Sequence, residues 1–285
     1  MRNSDSEFLE IRGLRYHVRR WSRAGAPKVV LLHGWMDVSA SFQFLVDALR
    51  KDWDVYAPDW RGYGLTDWGR SDCYWLPDYI ADLDLLLDHI EPNPVNLVGH
   101  SLGGNVASVY AGVKPARVAK LVNLEGFGMQ ATRPEQAPKR YARWLEELRD
   151  PSRLRPYASF AALADRLQQG NSRLSREKAG FLARHWGREE GAGVVLRGDP
   201  AHKIVNPVLY RYEEVRACWQ QVAAPVLWVD AAGSDTLKRI GLDAEQHAER
   251  RAAFRNLTYE TVQDAGHMLH HDQPEAVARL IEGFL

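Results

Sequence analysis

The chain has 285 residues, of which 45% are hydrophobic and 26% charged, a composition typical of a globular protein with one sizeable core. Basic and acidic residues number 37 each, so the formal net charge of +0 disfavours a nucleic-acid-binding surface. No segment approaches the ~18 consecutive apolar residues of a membrane span, and the polar first residues do not resemble a signal peptide. We therefore expect a cytoplasmic protein without a membrane span. Two distant cysteines, Cys73 and Cys218, are predicted to be free, buried thiols.

Short apolar runs alternate with helical segments, as in a parallel sheet with helices on both faces. The chain begins with two segments predicted to form an antiparallel hairpin, at residues 8–11 and 14–21. Central strands are predicted at residues 29–32, 55–57, 95–98, 121–124 and 226–229, and a last strand at 257–262. Helices are predicted at residues 77–90, 102–113 and 275–284. The predicted fold class is therefore α/β, with a mostly parallel central sheet.

Residues 126–224 break this alternation. They contain helical segments around 140–149 and 175–186 and no convincing series of strands, so we interpret them as an inserted helical cap. The base domain would then comprise residues 1–125 and 225–285. The cap is rich in aromatic residues, which could line an apolar pocket or simply pack the cap onto the base. These residues are Tyr141, Trp144, Tyr157, Phe160, Phe181, Trp186, Tyr210 and Trp219.

A Gly-x-Ser-x-Gly motif lies where the third central strand should meet a helix. It is centred on Ser101, with Gly99 two residues before and Gly103 two residues after. The glycines allow a sharp turn from strand to helix, which exposes the serine hydroxyl at the carboxyl edge of the sheet. The helix that follows directs its first amides, including that of Leu102, toward an oxyanion formed at Ser101. Ser101 is thus the candidate nucleophile.

Together with its neighbours, this motif resembles the α/β-hydrolase superfamily over nearly the whole chain. The sequence from Leu31 to Trp35 is similar to the family's His-Gly oxyanion loop, and the resemblance implies that the Trp35 amide is a second oxyanion donor. The sequence from Asp59 to Asp67 is similar to the family's turn after the fourth strand, for which we favour a structural role. Two further segments, residues 125–128 and 198–203, resemble the serine hydrolase-like subgroup.

A serine nucleophile needs a base, and position selects one of the ten histidines. His267 lies after the last predicted strand, where it resembles the family's Gly-His loop. His33 and His100 are expected to order backbone, and His270 and His271 to be surface or capping residues. A metal site formed by His267, His270 and His271 is disfavoured because no partner ligand has a recognisable spacing. The sequence predicts no metal and no cofactor.

The acid that orients the histidine is less clearly defined. The resemblance implies a carboxylate in the loop after the strand that follows the cap, which favours Asp235. The turn is one residue longer than usual, however, with Ala231 at the position of the family's glycine. Glu125, directly before the cap, is the alternative, and Asp230 is a third candidate.

A serine at position 101 points to acyl transfer, whereas the related epoxide hydrolases and haloalkane dehalogenases use an aspartate there. The expected function is cleavage of a carboxylic ester or thioester through an acyl-enzyme. The alternatives are lyase, carbon–carbon hydrolase or perhydrolase chemistry on the same scaffold, or non-catalytic binding of a small ligand. The sequence defines neither the acyl chain nor the oligomeric state.

Overall fold

A computed structural model describes residues 1–69, 71–151 and 153–285. Within these residues the main sheet has eight strands: β1 (Asp5–Ile11), β2 (Leu14–Trp21), β3 (Lys28–Leu32), β4 (Asp54–Pro58), β5 (Val95–His100), β6 (Val118–Leu124), β9 (Val226–Ala231) and β10 (Leu257–Val262). Their order across the sheet is β1-β2-β4-β3-β5-β6-β9-β10. Every predicted strand is therefore present. Only the hairpin β1–β2 runs antiparallel to its neighbours, at one edge of the sheet.

Helices cover both faces of this sheet. The helices outside residues 126–224 are α1 (Gln43–Ala48), α2 (Leu76–Ile90), α3 (Leu102–Val113), α8 (Thr236–Arg239), α9 (Ala244–Ala252), α10 (Leu269–Asp272) and α11 (Pro274–Phe284). Alternate residues of β3 face opposite sides: Val30 and Leu32 pack in the core beneath α2 and α3, whereas Val29 and Leu31 pack beneath α1 and α11. This period of two explains why the buried strands are continuously apolar. The predicted α/β fold, with helices on both faces of a mostly parallel sheet, is confirmed.

The segment between β6 and β9 is mainly helical. It contains α4 (Ala137–Arg149), α5 (Phe160–Gly170), α6 (Arg176–Trp186) and α7 (Tyr212–Trp219), together with a hairpin of β7 (Gly187–Glu190) and β8 (Gly193–Leu196). The hairpin was not predicted, because its strands have four residues each and β7 is polar. Helices α5 and α6 share an apolar cluster with β8 that includes Leu163, Leu182 and Val194.

Several contacts fasten this segment to the base of the fold. Helix α7 packs against α3 so closely that a Cβ at Gly112 would lie 1.9 Å from the Cys218 carbonyl oxygen. Between β8 and α7, the Asp199 amide donates to the Gly62 carbonyl at 2.8 Å, and the Tyr74 hydroxyl donates to the Asp199 carboxylate at 2.7 Å. The segment 198–203 is therefore held against the turn that follows β4.

Candidate active site

Ser101 lies at the junction of β5 and α3, at the carboxyl edge of the sheet. Its backbone has φ 52° and ψ −114°, a strained conformation for a residue with a side chain. The turn has no space for larger residues: a Cβ at Gly99 would lie 2.4 Å from the Gly103 carbonyl oxygen, and one at Gly103 would lie 2.0 Å from that of Leu32. The Ser101 amide donates to the Leu124 carbonyl at 2.8 Å, which fixes the turn to β6.

His267 lies in the loop between β10 and α10. Its Nε2 atom is 3.0 Å from the hydroxyl oxygen of Ser101, although the two residues are 166 positions apart in the chain. The His267 carbonyl oxygen is 2.8 Å from Nε2 of His100, the residue before Ser101. The loop is thus held to the strand that carries the serine, and the structure brings the predicted serine and histidine within hydrogen-bonding distance.

Glu125 meets the other side of the histidine ring. It follows β6 with a φ of 58°, and its fully buried carboxylate has Oε2 at 3.1 Å from Nδ1 of His267. The carboxylate also accepts hydrogen bonds from the Ala231 amide at 2.8 Å and the Ser234 hydroxyl at 2.5 Å. These donors satisfy a charge that would be costly to bury alone. Ser234 was not among the predicted site residues.

The sequence led us to expect Asp235 beside His267, but the structure does not place it there. The Asp235 side chain is 72% exposed and pairs with Arg239 at 3.1 Å. The loop after β9 explains this difference: Gly233 donates to the Ala265 carbonyl and Ser234 to that of Ala231, so Ser234 turns inward and the next residue turns outward. Glu125, the predicted alternative, occupies the position expected for Asp235.

Asp230, the third candidate, has other partners. Its carboxylate accepts hydrogen bonds from the Trp228 indole at 2.8 Å and the Tyr259 hydroxyl at 2.9 Å. Burial raises the pKa of Asp230 to about 6. Its Oδ2 also lies 3.2 Å from Nε2 of His247 in α9, so its contacts are with β9, β10 and α9 rather than with His267.

Two backbone amides were predicted as oxyanion donors. Leu102 is the first residue of α3, a position whose amide is not used by hydrogen bonds within the helix. The loop after β3 lies beside the serine, because a Cβ at Gly34 would be 3.3 Å from Cβ of Ser101. The next residue, Trp35, has a side chain that is 54% exposed. The assignment of both amides remains a prediction.

The other motif residues have structural contacts. His33 is fully buried, and its Nε2 accepts a hydrogen bond from the Trp60 amide at 2.9 Å. Burial lowers the pKa of His33 to about 4, which favours the neutral ring. Asp59 accepts from the Ser39 and Leu65 amides at 2.6 and 2.9 Å, and Arg61 pairs with the carboxylate of Asp82. The predicted structural role of this turn is confirmed.

Most of the aromatic residues between β6 and β9 pack within the protein. Trp219 is fully buried and stacks on Phe254 at a centroid distance of 5.3 Å. Phe181 packs edge-on against Phe44, and the Trp186 indole donates to the Ser41 hydroxyl at 3.2 Å. Tyr141 on α4 is different, because it is 51% exposed. Packing therefore accounts for Trp219, whereas Phe181 and Trp186 make packing contacts but remain partly exposed.

His270 and His271 are buried, which corrects the expectation that they are surface or capping residues. The triplet of candidate metal ligands that the structure brings together is also different from the one considered above: it consists of Asp37, His100 and His270. One potential ligand atom from each of these buried residues lies within 4.8 Å of the others.

Cys73 and Cys218 are free, as predicted, but only half-buried.

The chain belongs to the alpha/beta hydrolase fold family, whose sequence model matches residues 27–274. It is 27% identical over its whole length to a serine hydrolase-like protein from Danio rerio, of which it covers 90%. The resemblance to the superfamily and to its serine hydrolase-like subgroup is thereby confirmed.

Solved structures show the same fold. The thioesterase domain from the curacin biosynthetic pathway superimposes with a TM-score of 0.88 at 22% identity, covering 98% of this chain and 99% of that one. A hypothetical protein from Pseudomonas aeruginosa gives the same TM-score of 0.88 at 23% identity, again covering 98% of this chain and 99% of that one. At these identities the likeness concerns the fold alone.

Among the described residues, none of the helices has the length and apolar character needed to traverse a bilayer.

Proposed function

We propose that this protein is a serine hydrolase that cleaves a carboxylic ester or thioester, with Ser101 as nucleophile, His267 as base and Glu125 as the orienting acid. The observation that carries the proposal is the continuous chain of contacts, 3.0 Å from serine to histidine and 3.1 Å from histidine to glutamate. Both the distance from nucleophile to base and that from base to acid lie within hydrogen-bonding range.

The contacts favour one tautomer of the neutral histidine ring. An ionised carboxylate can only accept hydrogen bonds, so Nδ1 of His267 carries the proton that is shared with Glu125. In the neutral ring, Nε2 then has a free lone pair directed at the hydroxyl of Ser101. This tautomer is the one that removes the serine proton during attack.

The reaction then follows the acyl-transfer sequence. The Ser101 oxygen attacks the substrate carbonyl as His267 takes its proton, and the resulting oxyanion is stabilised by the Leu102 and Trp35 amides. His267 returns the proton to the departing alcohol or thiol. Water, deprotonated by the same histidine, hydrolyses the acyl-enzyme and releases the acid.

Buried hydrogen bonds support the role of Glu125. Its carboxylate accepts from Ala231 and Ser234 as well as facing the histidine, so it remains oriented while the imidazolium forms. Asp235, by contrast, is exposed and paired with Arg239.

A fluorophosphonate probe tests the proposal, because it labels only an activated serine. We expect one label per chain at Ser101, loss of labelling in Ser101→Ala, and strongly slowed labelling in His267→Ala. Hydrolysis of p-nitrophenyl esters of graded chain length, measured beside acyl-CoA thioesters, would identify the leaving group. Folded protein that is not labelled and cleaves none of these substrates would instead indicate a ligand-binding member of the fold.

A further inference from the structure

A cluster of polar side chains lies buried behind the nucleophile and takes no part in the proposed reaction. It is formed by Asp37, after β3, by His100, at the end of β5, and by His270, in α10. Their relative exposures are 2%, 1% and 0%. Such groups are normally hydrogen-bonded when they are removed from water.

Several atoms of this cluster lack such partners. Among the residues that the structure describes, no hydrogen bond reaches Oδ2 of Asp37, Nδ1 of His100 or either ring nitrogen of His270. One potential ligand atom from each of the three residues lies within 4.8 Å of the others. From this convergence we infer that Asp37, His100 and His270 form a site for a divalent transition-metal ion of the zinc type.

The tautomer of His100 supports this inference. Its Nε2 is 2.8 Å from the carbonyl oxygen of His267, and a carbonyl oxygen can only accept a hydrogen bond. Nε2 therefore carries the proton, which leaves a lone pair on Nδ1 in the neutral ring. A metal-bound histidine commonly donates its other N–H to a carbonyl or carboxylate in this way.

Asp37 is oriented in a comparable manner. Its Oδ1 accepts hydrogen bonds from the Val38 amide at 2.8 Å and from the Ser41 hydroxyl, while Oδ2 is left for an ion. Ser41 accepts a hydrogen bond from the Trp186 indole at 3.2 Å, so the carboxylate is supported by a contact with the segment between β6 and β9. The carboxylate also supplies negative charge to an otherwise neutral ligand set.

Two imidazoles and one carboxylate favour zinc, cobalt or related ions over magnesium and calcium, which prefer sets of oxygen ligands. Metal–ligand distances of about 2.0–2.2 Å place neighbouring ligand atoms roughly 3.4 Å apart in a tetrahedral site. Starting from separations of at most 4.8 Å, the ligand atoms would therefore close by no more than about 1.4 Å around the ion. His271 is buried next to His270 but is outside the triplet, which makes it a suitable control.

The site adjoins the proposed catalytic residues without depending on their chemistry. An ion at Nδ1 of His100 would strengthen donation from Nε2 to the carbonyl of His267, because coordination withdraws electrons from the ring. The ion would therefore hold the histidine loop in place. It would do so whether or not Ser101 reacts.

Direct metal binding tests the inference. The full chain carrying Ser101→Ala, stripped with a chelator, is incubated overnight with Co²⁺, dialysed, and measured by visible absorption and metal analysis. We expect about one Co²⁺ per chain, with d–d bands of a low-symmetry site that Zn²⁺ removes and Mg²⁺ does not. Because Ser101→Ala is inactive by design, failure here is distinguishable from failure of the proposed function.

Ligand variants complete the test. Asp37→Asn, which is nearly isosteric, and His270→Asn should lose the bound Co²⁺, whereas His271→Asn should retain it. Far-UV circular dichroism checks the fold, and Asp37→Asn decides the result if His270→Asn does not fold. The inference is overturned if the parent binds no cobalt or if both ligand variants bind it as well as the parent.

Discussion

The carboxylate of Glu125 and the imidazole of His267 face each other with 3.1 Å between Oε2 and Nδ1, although 142 residues separate them in the chain. Glu125 follows β6, and β6 pairs directly with β5, which carries the serine. The proposed acid therefore follows the strand next to the one that ends at the proposed nucleophile, one strand nearer than the loop after β9.

This placement predicts which carboxylate the reaction requires. Glu125→Gln should reduce kcat by about 10³- to 10⁴-fold, because the neutral amide neither fixes the tautomer nor stabilises the imidazolium. Steady-state hydrolysis of a p-nitrophenyl ester measures the effect. Asp235→Asn is the matched control and should remain within about twofold of the wild type. A large loss of kcat in Asp235→Asn with little loss in Glu125→Gln would instead identify Asp235 as the acid.

Ser234 should contribute through the acid rather than through the substrate. Its hydroxyl donates to Oε2 of Glu125, the same oxygen that faces His267. Hydrogen bonds to charged groups contribute about 1.5–3 kcal/mol, so Ser234→Ala should lower kcat by about tenfold or more. KM should be unchanged, because the hydroxyl is held by the carboxylate. A variant with normal kcat and raised KM would assign Ser234 to substrate binding instead.

The turn around Ser101 has no room for a methyl group at Gly103, so we expect such a substitution to destabilise the protein. A Cβ there would lie 2.0 Å from the backbone oxygen of Leu32, so Gly103→Ala must displace β3 or α3. We expect a loss of about 1–3 kcal/mol in the free energy of unfolding, measured by urea denaturation. Gly180→Ala is the control: Gly180 lies within α6, and the nearest atom to its Cβ would be 3.9 Å away. That variant should gain about 0.5–1 kcal/mol.

A fall in pH should lower the free energy of unfolding through the protonation of His202. This ring is stacked between Tyr63 and Tyr74, each at a centroid distance of 3.8 Å, and burial lowers its pKa to about 3. Its folded pKa is below the unfolded value of about 6.5, so its stabilising contribution is complete above that value and is lost as the pH falls toward 3. Between pH 7 and pH 4.5 the loss should be about 2–3 kcal/mol.

Urea denaturation at both pH values measures this contribution. His202→Gln should lose less stability on acidification than the wild type does, because it cannot take up the proton. The control is His89→Gln, which replaces an exposed histidine of α2 that lies outside the Tyr63–Tyr74 stack. An unaltered response to acid in His202→Gln would show that other groups account for the effect.

The amino-acid sequence alone determined the fold and two of the three residues of the proposed triad. The apolar runs predicted the central strands of the main sheet, since burial of both faces leaves a continuous hydrophobic signal. The glycines around Ser101 predicted the turn, because a strand can meet a helix so closely only without side chains. His267 followed from its position after the last strand.

Tertiary structure decided which acid meets the histidine and where the buried cluster forms. Asp235 and Glu125 both follow strands at the same edge of the sheet, and a side chain's direction there depends on backbone hydrogen bonds in the loops. The bonds of Gly233 and Ser234 turn Asp235 outward, while the φ of 58° at Glu125 accompanies a side chain directed inward. Asp37, His100 and His270 come from three separate segments, so no local spacing indicates their proximity, which only the packing of those segments creates.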